Sequence, residues 1–195
     1  MNHRKPRDLT RLMLWLSVSL ILCAVGVSAF IYIRWRQRES RFNVLIAEVA
    51  SVHGVDRCLV KAIIKRESKF DPFARGDAGE IGLMQVTHDA GQEWAQATRR
   101  PAYQNNWLWD PRLNIEAGTW YLSEGLRRWK DRDDPVVFAL AYYNGGPGNV
   151  RRWVGTNSTM TAEELLAAMD RPSVRDYVRT VQRFHATYRQ RESGN

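Results

Sequence analysis

Residues 12–33 run for 22 positions without a charged side chain. At helical rise that length crosses a bilayer, and it exceeds the apolar core of an ordinary signal peptide. A segment of this kind cannot be folded into the same water-soluble core as the rest, so it divides the chain before any other feature is considered. Trp15 near one end and Tyr32 with Trp35 at the other fit aromatic belts at headgroup depth. Arg4, Lys5, Arg7 and Arg11 precede the segment and Arg34, Arg36, Arg38 and Arg41 follow it, so flanking charge gives no orientation. Two competing readings are cleavage after Val27-Ser28-Ala29 and lipidation at Cys23. Apolar residues from Phe30 to Ile33 argue against the first, and the bulky Leu22 before the cysteine argues against the second. The segment is expected to be a retained anchor.

Dividing the chain in this way also explains its charge. The formal charge of +8 is concentrated at the start: residues 1–41 hold 8 Lys/Arg against 2 Asp/Glu, leaving 21 against 19 in the remainder. The basic excess therefore reads as contact with lipid headgroups, and nucleic acid is not an expected partner. About 150 residues lie beyond the anchor, enough for one well-buried domain. Cys23 lies in the apolar segment and Cys58 on a candidate helix, so two free thiols are expected and no disulfide framework or metal cluster.

Beyond the anchor the apolar periodicity is helical. Phe42, Leu45, Ile46, Val49 and Ala50 recur every three or four positions, and Gly54 ends that helix. Asp56 is a suitable N-cap for the next helix. Residues 71–81, rich in Gly, Pro and Asp, read as a loop, 87–97 as a helix and 101–111 as a second loop. Residues 113–129 form a long helix, 135–143 a buried one, and 145–148 a tight turn. Thr161 and Glu164 form a capping-box pattern, and 173–189 make the closing helix. No run alternates as a strand would, and no internal repeat is present, so a single mainly α unit is predicted.

One residue breaks the apolar pattern. Leu59, Val60, Ala62, Ile63 and Ile64 form a buried stripe, and Glu67 falls seven positions after Val60, four after Ile63 and three after Ile64. Burial disfavours the carboxylate anion, and so does the negative end of a helix that Asp71-Pro72 must soon terminate. A carboxyl that keeps its proton near neutral pH suits general acid catalysis.

Five blocks stand in order: Glu67-Ser68-Lys69-Phe70, Gly82-Leu83-Met84-Gln85, Asn114-Ile115-Glu116-Ala117-Gly118, Ala141-Tyr142-Tyr143-Asn144-Gly145-Gly146, and Arg175-Asp176-Tyr177-Val178. Together they resemble the lytic transglycosylases of the soluble-lytic-transglycosylase (SLT) type, over roughly residues 43–188. The resemblance implies a mainly α, lysozyme-like fold with a cleft for a peptidoglycan glycan strand. It implies that Glu67 protonates the oxygen between N-acetylmuramic acid (MurNAc) and N-acetylglucosamine (GlcNAc) while the substrate's own acetamido group stabilises the developing cation. The same carboxylate would then take the proton of the muramoyl C6 hydroxyl, closing a 1,6-anhydro ring. This substrate-assisted route departs from two-carboxylate glycosidase chemistry and needs only one buried glutamate. By the same resemblance Met84 and Gln85 line the sugar subsites, Tyr143 hydrogen-bonds and holds Glu67, and Asn144 and Tyr177 contact substrate. Trp94, Trp107, Trp109, Trp120, Trp129 and Trp153 offer further stacking faces, although tryptophans at helical spacing are more often core.

The chain departs from the family pattern in four places. Gly76 stands where a serine is frequent, nine positions after Glu67; His88 replaces a common proline and is expected to be exposed at a helix start. Ser173 replaces an acidic residue, and Gly145 an alanine, with a looser turn as the expected consequence. Asp71, Asp77 and Glu80 are candidates for a second carboxylate, with turn chemistry as their ordinary role. Asn114 and Gly118 read as structural, one fixing a helix start and the other allowing close helix approach.

The resulting expectation is a lysozyme-like mainly α protein with one N-terminal transmembrane helix: residues 1–11 a cytoplasmic tail, 12–33 the anchor, 34–42 a juxtamembrane linker and 43–195 the catalytic domain. Its activity would be peptidoglycan lytic transglycosylation outside the bacterial inner membrane. The alternatives are a lysozyme-like hydrolase and a non-catalytic glycan-binding envelope protein. No metal or organic cofactor is implied, and the sequence does not identify any envelope complex that recruits the protein.

Overall fold

A computed structural model describes residues 6–100 and 102–194, without the side chains of 6–9 and 34–36. The readings placed on residues 1–5, on Pro101 and on the side chains of Arg7, Arg34, Trp35 and Arg36 lie outside the described residues. The chain forms two units, Met1–Arg41 and Phe42–Asn195.

The first unit is a single helix, α1 (Pro6–Arg41). Its apolar side chains, including Leu14, Leu20, Val25 and Phe30, are exposed around the helix. By length and composition this region can cross a membrane, with a mean hydropathy of 2.3 over its most apolar window. The helix continues to Arg41 through most of the stretch read as a linker. Nothing in that stretch breaks a helix, because it holds neither Gly nor Pro and its Arg and Gln residues are good helix formers.

The second unit contains α2 (Asn43–His53), α3 (Arg57–Glu67), α4 (His88–Ala97), a 3-10 turn (Asn105–Trp109), α5 (Pro111–Arg128), α6 (Pro135–Gly145), α7 (Pro147–Val154), α8 (Ala162–Ala168) and α9 (Pro172–Ser193). Local chemistry sets the starts. The side chains of Asp56, Thr87, Asp110 and Asp134 each accept a backbone N–H of the first turn of α3, α4, α5 and α6. Proline stands in the first turn of α5, α6, α7 and α9, where its missing N–H is not needed. Thr161 and Glu164 complete a reciprocal capping box on α8.

α6 is the central element. Val137, Phe138, Ala139, Leu140 and Ala141 are buried in succession, as expected of a helix covered on all sides. α5, α9, α7 and α8 pack around it, and α3 lies along α9. Among the described residues there is no strand, only isolated antiparallel bridges from Ile81 to Arg75 and to Val86.

Three expectations need correction. Gly145 closes α6 instead of standing in a turn, and a Cβ there would come within 3.1 Å of Trp153, so its smallness serves packing. The break is made by Gly146 at φ 80°, and α7 begins at once with Pro147. The stretch 101–111 is not all loop, because Asn105–Trp109 winds into the 3-10 turn that brings Leu108 into the core.

Candidate active site

Glu67 is the last residue of α3, and the chain turns sharply after it. Lys69 and Phe70 both adopt positive φ, 52° and 64°, a conformation that L-residues rarely hold unless the surroundings impose it. The buried Phe70 side chain is one such constraint. Ser68 is another, its hydroxyl donating to Ile64 O and, at 2.8 Å, to Leu83 O. This second bond ties the end of α3 to the Gly82-Leu83-Met84-Gln85 turn.

Asn114 holds that turn from below. Its side-chain oxygen accepts from Met84 N, and its amide donates to Ile81 O and Leu108 O, each at 2.8 Å. Gly82 is required here: its φ is 76°, and an added Cβ would stand 2.5 Å from the Asn114 amide nitrogen. Gln85, also left-handed at φ 48°, donates through Nε2 to Gly82 O and Ala74 O. The Tyr143 hydroxyl donates to Met84 O at 2.7 Å, fastening the turn to α6.

A cleft of about 360 Å³ opens beside this turn, lined by Gln85 and Thr87, by Asp89 and Glu93 of α4, by Gly118 and Tyr121 of α5, and by Tyr143, Asn144 and Gly146. Glu67 lies close enough to Tyr143 and Tyr177 for its charge to oppose the ionisation of both phenols. Burial pushes the Glu67 carboxyl up from its ordinary 4.5 to about 7, with the Tyr177 hydroxyl and the Arg66 guanidinium opposing the rise and the charge of Glu80 adding to it. Tyr143 and Tyr177 are raised well above the usual phenol range, first by burial and then by Glu67, so both keep their protons. The arrangement is a proton donor poised near neutral pH, bordered by phenolic hydroxyls and an amide-bearing cleft wall.

The transglycosylase SLT domain model matches residues 44–166. The chain belongs to the transglycosylase SLT domain family. It is 40% identical over 117 residues to membrane-bound lytic murein transglycosylase F of Desulfosudis oleivorans, covering 58% of this chain and 24% of that protein. It is 32% identical over 142 residues to membrane-bound lytic murein transglycosylase C of Salmonella arizonae, covering 68% of this chain and 38% of that protein. Among solved structures it resembles an inactive glutamate-to-glutamine mutant of the lytic transglycosylase Slt from Pseudomonas aeruginosa, with TM-score 0.69 and 27% identity over 77% of this chain and 24% of that one. The chain thus spans about a quarter to two fifths of the length of these relatives.

Within the SLT domain the expected site residues do not all stand where the resemblance put them. Gln85, Tyr143 and Asn144 border the cleft, and Asn144 is exposed there. Met84 does not line it: its side chain is fully buried, filling the space over Gly118, where a Cβ would come within 2.7 Å of its sulfur. Gly118 therefore admits a methionine instead of a neighbouring helix. Tyr143 gives its hydroxyl to the Met84 carbonyl and not to Glu67. The phenol that acts on Glu67 is Tyr177, which is 1% exposed and so lies beneath the carboxyl, out of reach of a bound strand. Its buried hydroxyl makes no hydrogen bond of good geometry, yet it is the neighbour that most opposes the rise of the Glu67 carboxyl. Asn114 does not start α5, whose cap is Asp110. None of the six named tryptophans lines the cleft; Trp94 and Trp153 are core, and the other four pack against it.

Tyr121 and Glu93 line the cleft without having been anticipated. Tyr121 follows Gly118 by three positions on α5, and Glu93 follows Asp89 by four on α4, so helical spacing from a motif residue would have pointed to Tyr121.

Proposed function

We propose that the chain is a peptidoglycan lytic transglycosylase that cleaves the β-1,4 bond between MurNAc and GlcNAc and leaves 1,6-anhydro-MurNAc ends. The observation that carries this reading is the Glu67 carboxyl, raised to about 7 and within electrostatic reach of Tyr143, which lines the cleft. Protonated, it gives its proton to the glycosidic oxygen as the bond to C1 breaks, and the acetamido group supports the positive charge at C1. As a carboxylate, it takes the proton of the C6 hydroxyl, whose oxygen closes on C1. The proton returns to Glu67, and no water is consumed. Gln85, Tyr143 and Asn144 would bind the strand, with Met84 and Tyr177 acting from below the surface. The loss of activity in the Pseudomonas Slt glutamate-to-glutamine mutant supports a mechanism that depends on a glutamate.

The same reading places the protein in the bacterial inner membrane through α1, with residues 1–11 cytoplasmic and the SLT domain on the outer side, where the glycan is. The apolar helix and the membrane-bound relatives support this topology.

The test is mass spectrometry of the products released from peptidoglycan sacculi by the detergent-solubilised full chain, beside Glu67→Gln. Anhydro ends that depend on Glu67 are expected. Reducing ends would replace the reading with a hydrolase, and a wild-type protein that releases nothing would point to glycan binding alone.

A further inference from the structure

The space left by Gly76 is occupied. A Cβ on Gly76 would stand 2.2 Å from Glu80 Oε2 and 2.9 Å from Gln85 Oε1, so these two oxygens converge where a serine side chain would otherwise project. The loop itself forces this convergence. Gly76 N donates to Glu80 O, and Arg75 bridges Ile81, which folds Glu80 back over residue 76. Glu80 Oε2 accepts from Ala78 N at 3.0 Å.

Gln85 presents its oxygen to this space, because its Nε2 is directed to Ala74 O at 3.1 Å and Gly82 O at 2.9 Å. Two acceptor oxygens therefore meet beside Gln85, a residue of the cleft wall, within electrostatic reach of the Glu67 carboxyl. An acceptor pair calls for a donor. The glycan supplies one on every sugar, the N–H of the acetamido group at C2.

We propose that Glu80 is a substrate-positioning residue whose carboxylate, together with the Gln85 side-chain oxygen, accepts the acetamido N–H of the sugar whose glycosidic bond Glu67 protonates. This rests on the transglycosylase reading above. Accepting that N–H turns the acetamido carbonyl toward C1 and enriches its oxygen in electron density, so it better supports the cation formed as the bond breaks. The carboxylate thereby does the work of a hydroxyl that Gly76 cannot supply. Its charge also reaches Glu67, which Arg66 of α3, Tyr143 of α6 and Tyr177 of α9 face from the other packed elements.

Glu80 also caps its own turn through Ala78, so the informative variant is one that keeps the cap. Glu80→Gln retains an oxygen for Ala78 N and the same volume, but loses the charge. Assayed on sacculi as the full chain in detergent, it is expected to lower kcat about tenfold with KM changed far less, and to move the basic limb of the pH profile to lower pH. Gly76→Ser alone should also lose activity, because its Cβ displaces Glu80. Combined with Glu80→Ala, Gly76→Ser should recover activity above the Glu80→Ala level by restoring a hydroxyl to the same space. A Glu80→Gln enzyme with wild-type kcat and pH profile would overturn the proposal, as would a double variant no better than Glu80→Ala. If the wild-type chain releases no anhydro ends, the transglycosylase reading itself fails and takes this inference with it. If anhydro ends persist unchanged in Glu80→Gln, only the role of Glu80 falls.

Discussion

The helix pair α3 and α9 and the loop from Ser68 to Val86 lie on either side of Glu67 and are held by different means. The packed pair buries Leu59, Ile63 and Ile64 on α3 and Val174, Val178 and Val181 on α9, and ion pairs from Arg57 to Glu192 and from Asp56 to His185 join the two at the surface. Many small apolar contacts add up, and such a seam tolerates exchange of one apolar residue for another of similar size. The loop also buries Phe70, Ile81, Leu83, Met84 and Val86, but apolar packing alone does not set its path. It relies on single hydrogen bonds from Asn114, Ser68, Gln85 and Tyr143 and on positive φ at Lys69, Phe70, Gly79, Gly82 and Gln85. The carboxyl is delivered by the forgiving region, and its surroundings are shaped by the exacting one.

Four substitutions would break or sharpen that division. The largest expected effect is at the junction. Glu67→Gln should lower the release of anhydro products by about 10²–10⁴-fold, measured by mass spectrometry. It should also alter stability in a pH-dependent way. The folded carboxyl is raised from 4.5 to about 7, so the folded state binds this proton more tightly than the unfolded one. Stability is intact below about pH 4.5 and falls as pH rises to about 7, by on the order of 3 kcal/mol, a loss the glutamine variant escapes. Thermal melts at pH 5 and pH 8 should therefore differ less for Glu67→Gln than for the wild type.

Next, Asn114→Ala removes three buried hydrogen bonds and leaves Met84 N without an acceptor. A loss of about 3 kcal/mol in urea denaturation is expected, accompanied by a fall in activity of the molecules that remain folded. Ile63→Ala, fully buried in the seam, should cost a similar 2–5 kcal/mol, yet the folded fraction should turn over at nearly the wild-type rate. Equal loss of specific activity in both variants would erase the distinction between seam and loop. The smallest effect belongs to Tyr177→Phe. The Tyr177 hydroxyl holds Glu67 down, so its removal should shift the basic limb of the activity profile to higher pH with little change in kcat; a shift to lower pH would contradict the arrangement.

The same division explains what was legible in the sequence. α3 announces itself through apolar spacing, and Asp56 and Thr161 mark starts that the structure bears out. Glu67 was visible because it violates the pattern of its own helix. The loop carries no periodic signal. The bonds that tie it to the rest span long stretches of sequence, 15 positions from Ser68 to Leu83 and 59 from Tyr143 to Met84, and nothing local to Asn114 says that it reaches back to Met84. The two tyrosines were assigned by motif, which identifies the residues that gather near the carboxyl but not which hydroxyl points at it. α7 escaped notice because eight residues opening on Gly146-Pro147-Gly148 look like a turn.

Because Glu67 closes α3, its place in space is counted off from Asp56 one residue at a time. Deleting or inserting a single residue anywhere in that interval would swing the carboxyl by about 100° around the axis and move it by about 1.5 Å along it. The apolar side chains between the two can drift in identity, but the interval works as a gauge of fixed length, and lineages of this domain can vary its composition far more freely than its count.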